Sequence, residues 1–323
     1  MKAIVLNKYG SSVSLQLKDV AKPTPKENEV LIKVHATAVN DYDWSLMRGK
    51  PYPYRLMFGI TKPKKKIPGM ELSGIIEALG ENAKTFKVGD AVYGDISSYG
   101  FGSFAEYICI DEKALVLKPI KMSFEETASI PHASMLAVQG LVDIGKIQKG
   151  QKILINGSGG GVGTFGLCIA KLYGVEVTGV DTGDKLKMMK SIGFDHVIDY
   201  EKEDFTKNGQ CYDLILDAKT NRSTFDYVRS LSPNGRYVTV GGHLNRLLQI
   251  LLLKPWISKF NKKSINIVAL KPNKDLDYIN ELYETGKIKP VIDGPYKLSE
   301  VPKLIQYFGE GKHTGKVVIT LGA

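Results

Sequence analysis

Residues 152–163 read KILINGSGGGVG, and the reading of this stretch decides the fold. Ile153, Leu154 and Ile155 form the short apolar run of a buried strand, five glycines follow, and residues 164–173 (TFGLCIAKLY) supply helix formers that stop at Gly174. The stretch is a strand, a bare-backbone turn and a helix N-terminus. Gly157, Gly160 and Gly163 stand at a spacing of three and three. Without Cβ, such residues let the chain turn tightly, let a pyrophosphate approach the backbone, and let the helix pack close to the sheet. The helix N-terminus adds free N–H groups and a positive partial charge. The spacing is not the strict G-x-G-x-x-G. A second strand-like run, residues 175–180 (VEVTGV), nevertheless ends at Asp181, where a ribose-binding carboxylate is expected about 20 residues on. The pattern predicts dinucleotide binding.

Working outward, strands and helices alternate from residue 151 to about 270. A helix over 184–192 stops at Gly193, strands follow at 196–200 and 212–218, a helix at 223–231, a turn at 233–235 and a strand at 236–240. That alternation is the signature of a doubly wound parallel sheet, with Gly241 and Gly242 closing the last strand on the ligand-binding edge. Residues 1–118 instead read as short strands between Gly-, Pro- and Asn-rich turns, which indicates an all-β, barrel-like domain. Helical periodicity begins at 123–145, where Ser123 and Glu126 have capping-box spacing, and marks the domain boundary. Residues 244–260 are the most apolar stretch of the second half, and Pro255 is expected to end any helix near Lys254. This segment reads as a core or interface helix, with a membrane-surface anchor as its alternative. Helices over 275–285 and 299–308 and a strand over 316–321 are expected to rejoin the first domain.

Composition narrows the function classes. At 323 residues with 43% hydrophobic residues, the chain can hold two domains with cores of their own. Cys109, Cys168 and Cys211 are far apart and odd in number, so they build neither a disulfide framework nor a CxxC zinc pattern, and a reducing, cytoplasmic compartment is the simplest reading. The N-terminus reads as a strand and no apolar run reaches the length of a membrane span, so stable insertion is not expected. The net charge of +10 includes the cluster KPKKK at 62–66, which reads as a solvated loop because no recognition helix or stacking motif accompanies it; no nucleic-acid partner is expected. That cluster and the apolar run at 247–253 are together compatible with peripheral contact at a membrane.

Four segments carry a family resemblance: EVLIKVHATAVNDYDW, IPGMELSGIIEALGENAKTFKVGDAVYG, KILINGSGGGVGTFGLCIAKLYGVEVTGVD and HTGKVVITL. Through them the chain resembles the medium-chain dehydrogenase/reductase superfamily, in its zinc-independent quinone oxidoreductase (zeta-crystallin-like) branch. The resemblance implies an α/β protein in which a GroES-like β-barrel catalytic domain (1–120 and 271–323) accompanies a doubly wound Rossmann domain (121–270), with the active site in a cleft between them. It implies hydride transfer from NAD(P)H to a quinone or an α,β-unsaturated carbonyl, and a homodimer. A catalytically silent, crystallin-like NADPH-binding protein is the alternative.

Zinc needs thiolate, imidazole or carboxylate ligands. Where zinc-dependent relatives carry their first cysteine this chain has Asn40, and where they carry G-H-E it has Gly69-Met70-Glu71; residues 93–104 hold no cysteine, and His35, His132, His196, His243 and His313 are scattered. No metal is expected. Without a Lewis acid, hydride delivery to an already polarised acceptor is the natural chemistry, with hydrogen-bond donors at the developing oxyanion. Asn40 matches the family asparagine that positions acceptor or nicotinamide, a turn-stabilising amide being the other reading, and Tyr52 is the candidate O–H donor; Ser45 and Leu136 depart from the family's tyrosine and threonine.

The resemblance places cofactor contacts at Gly157, Ser158, Gly159, Gly160, Gly161, Val162 and Gly163, at Ala218, Val240, Gly241 and Gly242, and at Gly315 and Lys316. Asp181 argues for NADH, because a carboxylate there binds ribose hydroxyls and repels a 2′-phosphate. Lys185 and Tyr200, fifteen residues apart, match the pair that holds the 2′-phosphate in NADPH-dependent members and argue for NADPH, the favoured cofactor.

Overall fold

The computed structural model describes residues 1–322, the side chains of residues 57, 260 and 261 excepted, and the chain forms two compact units. One comprises Met1–His132, Pro272–Asn280 and Ile292–Ala323, the other Ala133–Lys271 and Glu281–Val291.

In the second unit, Lys152–Asn156 is the central strand of a six-stranded parallel sheet. The strands lie in the order His196–Asp199, Glu176–Asp181, Lys152–Asn156, Tyr212–Asp217, Leu231–Thr239, Ser264–Ile267. In chain order this is 3-2-1-4-5-6, the doubly wound arrangement in which the strand direction of winding reverses beside the first strand. Ile153, Leu154 and Ile155 are all fully buried, because helices cover both faces of a parallel sheet, and so the strand reads as a continuous apolar run without alternation. Tyr227, Tyr237, Ile250, Ile257 and Ile265 pack with Leu154, Val180 and Ile215 on one side of this sheet.

In the first unit a seven-stranded sheet runs Ile292–Lys297, Lys316–Thr320, Glu29–Ala38, Glu71–Leu79, Ala91–Asp95, Val116–Leu117, with Tyr107–Asp111 also paired to Glu29–Ala38. Ile32, Leu72, Val92, Phe104, Val317 and Ile319 fill its interior. The closing strand Lys316–Thr320 pairs antiparallel with Glu29–Ala38, so the C-terminal segment completes the sheet of the N-terminal one. Ile292–Lys297 was not visible in the sequence, since its residues are only partly buried and carry no alternation.

Two helical segments depart from expectation. The periodic stretch 123–145 is three pieces, Phe124–Ala128, Pro131–Val138 and the π-helical turn Gln139–Ile144, because Pro131 cannot continue the preceding helix and starts a new one. Leu244–Asn261 runs straight through Pro255. The proline leaves the Leu251 carbonyl without its N–H partner, but Leu251 and Pro255 are both exposed, so water can take that carbonyl.

Candidate active site

The glycine turn is built as the sequence implies. Gly157 has φ +89°, a conformation that side chains resist, and a Cβ on Gly163 would lie 2.4 Å from the Ser158 Cα and 2.5 Å from the Gly157 carbonyl oxygen. Helix Gly161–Lys171 therefore starts pressed against its own turn. The Ser158 hydroxyl donates to the Ile155 carbonyl and accepts the Val180 N–H at 2.9 Å, which ties the turn to the neighbouring strand. Capping boxes start the helices after Ser123 and Ser223, whereas no side chain caps the helix that starts after Gly160. Its first N–H groups are thereby available to an anion, and the cradle fits a dinucleotide pyrophosphate.

Asp181, Lys185 and Tyr200 come together beside this turn. The Asp181 carboxylate is buried and accepts the Gly159 N–H at 2.8 Å and the Thr182 N–H at 2.9 Å, while the Lys185 Nζ lies 3.3 Å away. The Tyr200 N–H donates to the Asp181 carbonyl at 3.2 Å. Burial raises the Tyr200 phenol above its ordinary value, aided by Asp181, and Arg222 acts against that rise. Arg222 was missed in the sequence. Among the described residues its Nε has no hydrogen-bond partner, the Asp204 carboxylate standing 3.6 Å off.

The strand ends that flank the turn carry a buried polar network. Asn156 Nδ2 donates to Asp217 at 2.9 Å, Tyr237 donates to the other Asp217 oxygen at 2.6 Å, and Asp217 also accepts the N–H groups of Lys219 and Thr220 at 2.9 Å. Ala218 and Val240 sit in this layer through N–H bonds to Asn156 and Asp217. Gly241 gives its carbonyl to the Thr220 hydroxyl at 2.6 Å, and any Cβ on Gly242 would collide with that same hydroxyl.

In the first unit the hub is Glu71, fully buried at the start of its strand. One carboxylate oxygen takes the Asn40 amide at 2.8 Å together with the Lys316 ammonium, and the other takes the His132 backbone N–H at 3.0 Å. Lys316, itself 4% exposed, also donates to the Asn40 carboxamide oxygen at 2.6 Å. Asn40 precedes helix Asp41–Arg48, yet its side chain turns away from the helix to Glu71, Lys316 and the Ala38 carbonyl. Asp43 secures the helix start instead, accepting the N–H groups of Asn40 at 2.9 Å and Gly69 at 2.8 Å; burial pushes its carboxyl up to about 7 against the lowering effect of those bonds.

His132 completes the cluster. Its Nδ1 is 2.9 Å from Asp95 and its Nε2 is 3.4 Å from Asp41. Burial opposes its charging, but the bonds to Asp41 and Asp95 outweigh that and lift it to about 10, so the ring is an imidazolium at neutral pH. The Tyr42 ring packs edge-on to His132 and also meets Tyr54, Phe58 and Phe101. Burial, with Asp41, pushes the Tyr42 phenol up to about 12 and keeps it an O–H donor. Tyr52 stands apart, 64% exposed, with Lys50 and Arg55 over its ring. Gly315, with φ +71°, turns the chain into the strand that presents Lys316.

Among the described residues no group of three or more His, Cys, Asp or Glu is arranged to hold a metal. Both Glu71 oxygens are engaged and a fixed ammonium already neutralises them.

Residues 26–120 match the family model of the alcohol dehydrogenase GroES-like domain, and residues 192–319 match a model described as zinc-binding dehydrogenase. The chain is 34% identical to the 2-methylene-furan-3-one reductase of Solanum lycopersicum over 99% of its own length and 79% of that protein. It is 32% identical, with the same coverage, to the chloroplastic NADPH-dependent alkenal/one oxidoreductase of Arabidopsis thaliana. The quinone oxidoreductase of Coxiella burnetii superimposes with a TM-score of 0.86 at 25% identity, covering 100% of this chain and 99% of that one.

Proposed function

This chain belongs to the medium-chain dehydrogenase/reductase superfamily, in its quinone oxidoreductase branch, and from that premise we propose how its residues serve the reduction of a quinone or an α,β-unsaturated carbonyl by NAD(P)H. It is an oxidoreductase with a small-molecule substrate. The observation that carries the reading is the uncapped helix start at Gly161 behind a turn that only glycine can make.

When bound, the nicotinamide cofactor supplies the hydride. The backbone of residues 157–163 binds and orients its pyrophosphate, with Ala218, Val240, Gly241 and Gly242 lining the same strand ends. NADPH is the favoured form: Lys185 and two N–H groups already neutralise Asp181, which blunts its repulsion of a 2′-phosphate, and Lys185, Tyr200 and Arg222 offer donors to that phosphate. Asn40, held by Glu71 and Lys316, positions the acceptor or the nicotinamide, and both of its amide hydrogens have partners, so it acts through placement. The protonated Tyr42 phenol donates to the oxyanion that develops on the acceptor, a role for which it is better screened from water than Tyr52. The reaction proceeds without zinc, because the Lys316 ammonium stands where a metal would need an open carboxylate.

We further read the protein as cytoplasmic and homodimeric, its free cysteines fitting a reducing compartment and its edge strand Ser264–Ile267 a paired interface. Among the described residues no helix is long and apolar enough to cross a membrane.

Steady-state oxidation of NADPH and of NADH against 1,4-benzoquinone and an alkenal, with and without chelator, tests the reading. Chelator-insensitive turnover that favours NADPH is the expected result. Cofactor binding without turnover of either acceptor class would overturn the catalytic assignment, and turnover abolished by chelator would overturn the metal-free one.

A further inference from the structure

A helix lying on a folded core needs one apolar stripe, and Leu244–Asn261 has two. Ile250, Leu253 and Ile257 pack into the core of the second unit. On the opposite side, at helical spacing, Leu248, Leu251, Leu252 and Trp256 are 50%, 58%, 75% and 67% exposed. Four large apolar side chains on one helix face form a patch that a solvated surface does not require.

The charge around this patch identifies what it meets. From Tyr227 to Lys274 the chain has no acidic residue and nine lysines and arginines, among them Arg246, Lys254, Lys259, Lys262 and Lys263. The rest of the chain holds 35 such cations against 34 carboxylates, so nearly the whole net charge of +10 resides in this one segment. Lys254 flanks the exposed stripe and Lys259 follows Leu252 two turns on, along the same face. A second copy of the chain would bring the same cations against these, and a nucleic acid would leave the leucines unused. We infer that the face formed by Leu248, Leu251, Leu252 and Trp256 docks on an anionic phospholipid bilayer, lying in the plane of the interface. There the leucines reach the acyl boundary, Trp256 sits at headgroup level, and the lysines meet lipid phosphates. The binding is reversible and peripheral.

Co-sedimentation of the full chain with equimolar phosphatidylcholine/phosphatidylglycerol vesicles tests this. Binding is expected at low salt, weakening as salt rises, with little binding to phosphatidylcholine alone. Lys254→Gln and Lys259→Gln should each weaken it about five-fold. Leu251→Ser with Leu252→Ser should abolish it while leaving quinone-dependent NADPH oxidation at the wild-type rate, so that docking and catalysis are read separately. Quenching of tryptophan fluorescence by brominated lipid, absent from Trp256→Phe where Trp44 remains, reports the same contact without touching the leucines. Three results would each overturn the inference: no vesicle binding, binding that survives loss of both leucines, or self-association or DNA binding through this face in place of lipid binding.

Discussion

The two polar centres of this molecule are made in opposite ways. The glycine turn at 157–163 is backbone, contiguous in sequence and left open at a helix N-terminus. The Glu71 cluster is side chain, assembled from Asn40, Glu71, His132 and Lys316, and every oxygen of the Glu71 carboxylate is already engaged. An open backbone site is arranged to receive a charge from outside, while a closed side-chain site holds its charges against one another. Substitutions should therefore cost affinity in the first and stability in the second.

The largest effect is expected from Lys316→Met. It leaves the Glu71 carboxylate buried beside Asn40 without its cation, and breaking such a pair costs about 3–5 kcal/mol. Urea unfolding should report that loss, and the double variant with Glu71→Gln should recover much of it by removing the stranded charge. Unchanged stability in Lys316→Met would show that the cluster is not closed, and would sharpen interest in the ammonium as a substrate contact.

Next comes Gly163→Val. A Cβ there meets backbone on two sides, so the helix start must move off the turn. NADPH affinity, followed by cofactor fluorescence, should fall about 100-fold or more, equivalent to roughly 2.7 kcal/mol. A variant that folds and binds normally would refute the glycine cradle.

The difference in construction also explains what the sequence disclosed. The turn, the buried strand before it and the alternation of strands and helices in a doubly wound sheet were legible because glycine spacing and apolar runs are local signals, whereas the strand order was not. Asn40 was singled out, but its partners were not, since Lys316 lies 276 residues away and no periodicity links the two. His132 read as a scattered structural histidine, and only the fold sets it between Asp95 and Asp41. Tyr42 was hidden for the same reason: its aromatic neighbours Phe58 and Phe101 come from the end of helix Tyr54–Phe58 and from a loop some sixty residues on. The helix continues through Pro255 against the expectation of a break near Lys254, because the carbonyl that the proline leaves unpaired faces water.

A smaller effect is a pH dependence of stability. In the fold His132 keeps its proton to about 10, against an ordinary value of 6.5, so its contribution is fully present below pH 6.5 and is lost as pH rises toward 10. Asp43, raised to about 7, likewise favours the fold when protonated, but its contribution disappears between about pH 4 and 7. Above pH 7 the histidine is left as the main contributor, joined from about pH 9 by the Cys109 and Cys168 thiols, which burial raises. Because Asp41 is two-thirds exposed and screened by solvent, Asp95 carries most of the interaction, and the histidine's expected loss from about pH 7 to about pH 10 is about 2 kcal/mol. His132→Gln should flatten the profile of unfolding free energy between pH 7 and 10; a profile as steep as the wild type would assign the slope to another group.

The smallest expected effect falls where the two modes of construction meet, at Asp181 and Lys185, a closed side-chain pair beside the open backbone turn. If the pair serves only to hold the turn, Lys185→Gln should weaken NADPH and NADH alike, since both need the same pyrophosphate cradle. If Lys185 exchanges Asp181 for a 2′-phosphate, the variant should lose about ten-fold in kcat/KM for NADPH relative to NADH, close to 1.4 kcal/mol. The second outcome is expected, because Asp181 retains two backbone donors after the lysine leaves it, and Tyr200 and Arg222 stand on the same side to share the phosphate. Asp181→Asn should then act in the opposite sense and raise the preference for NADPH, which a purely structural carboxylate would not do.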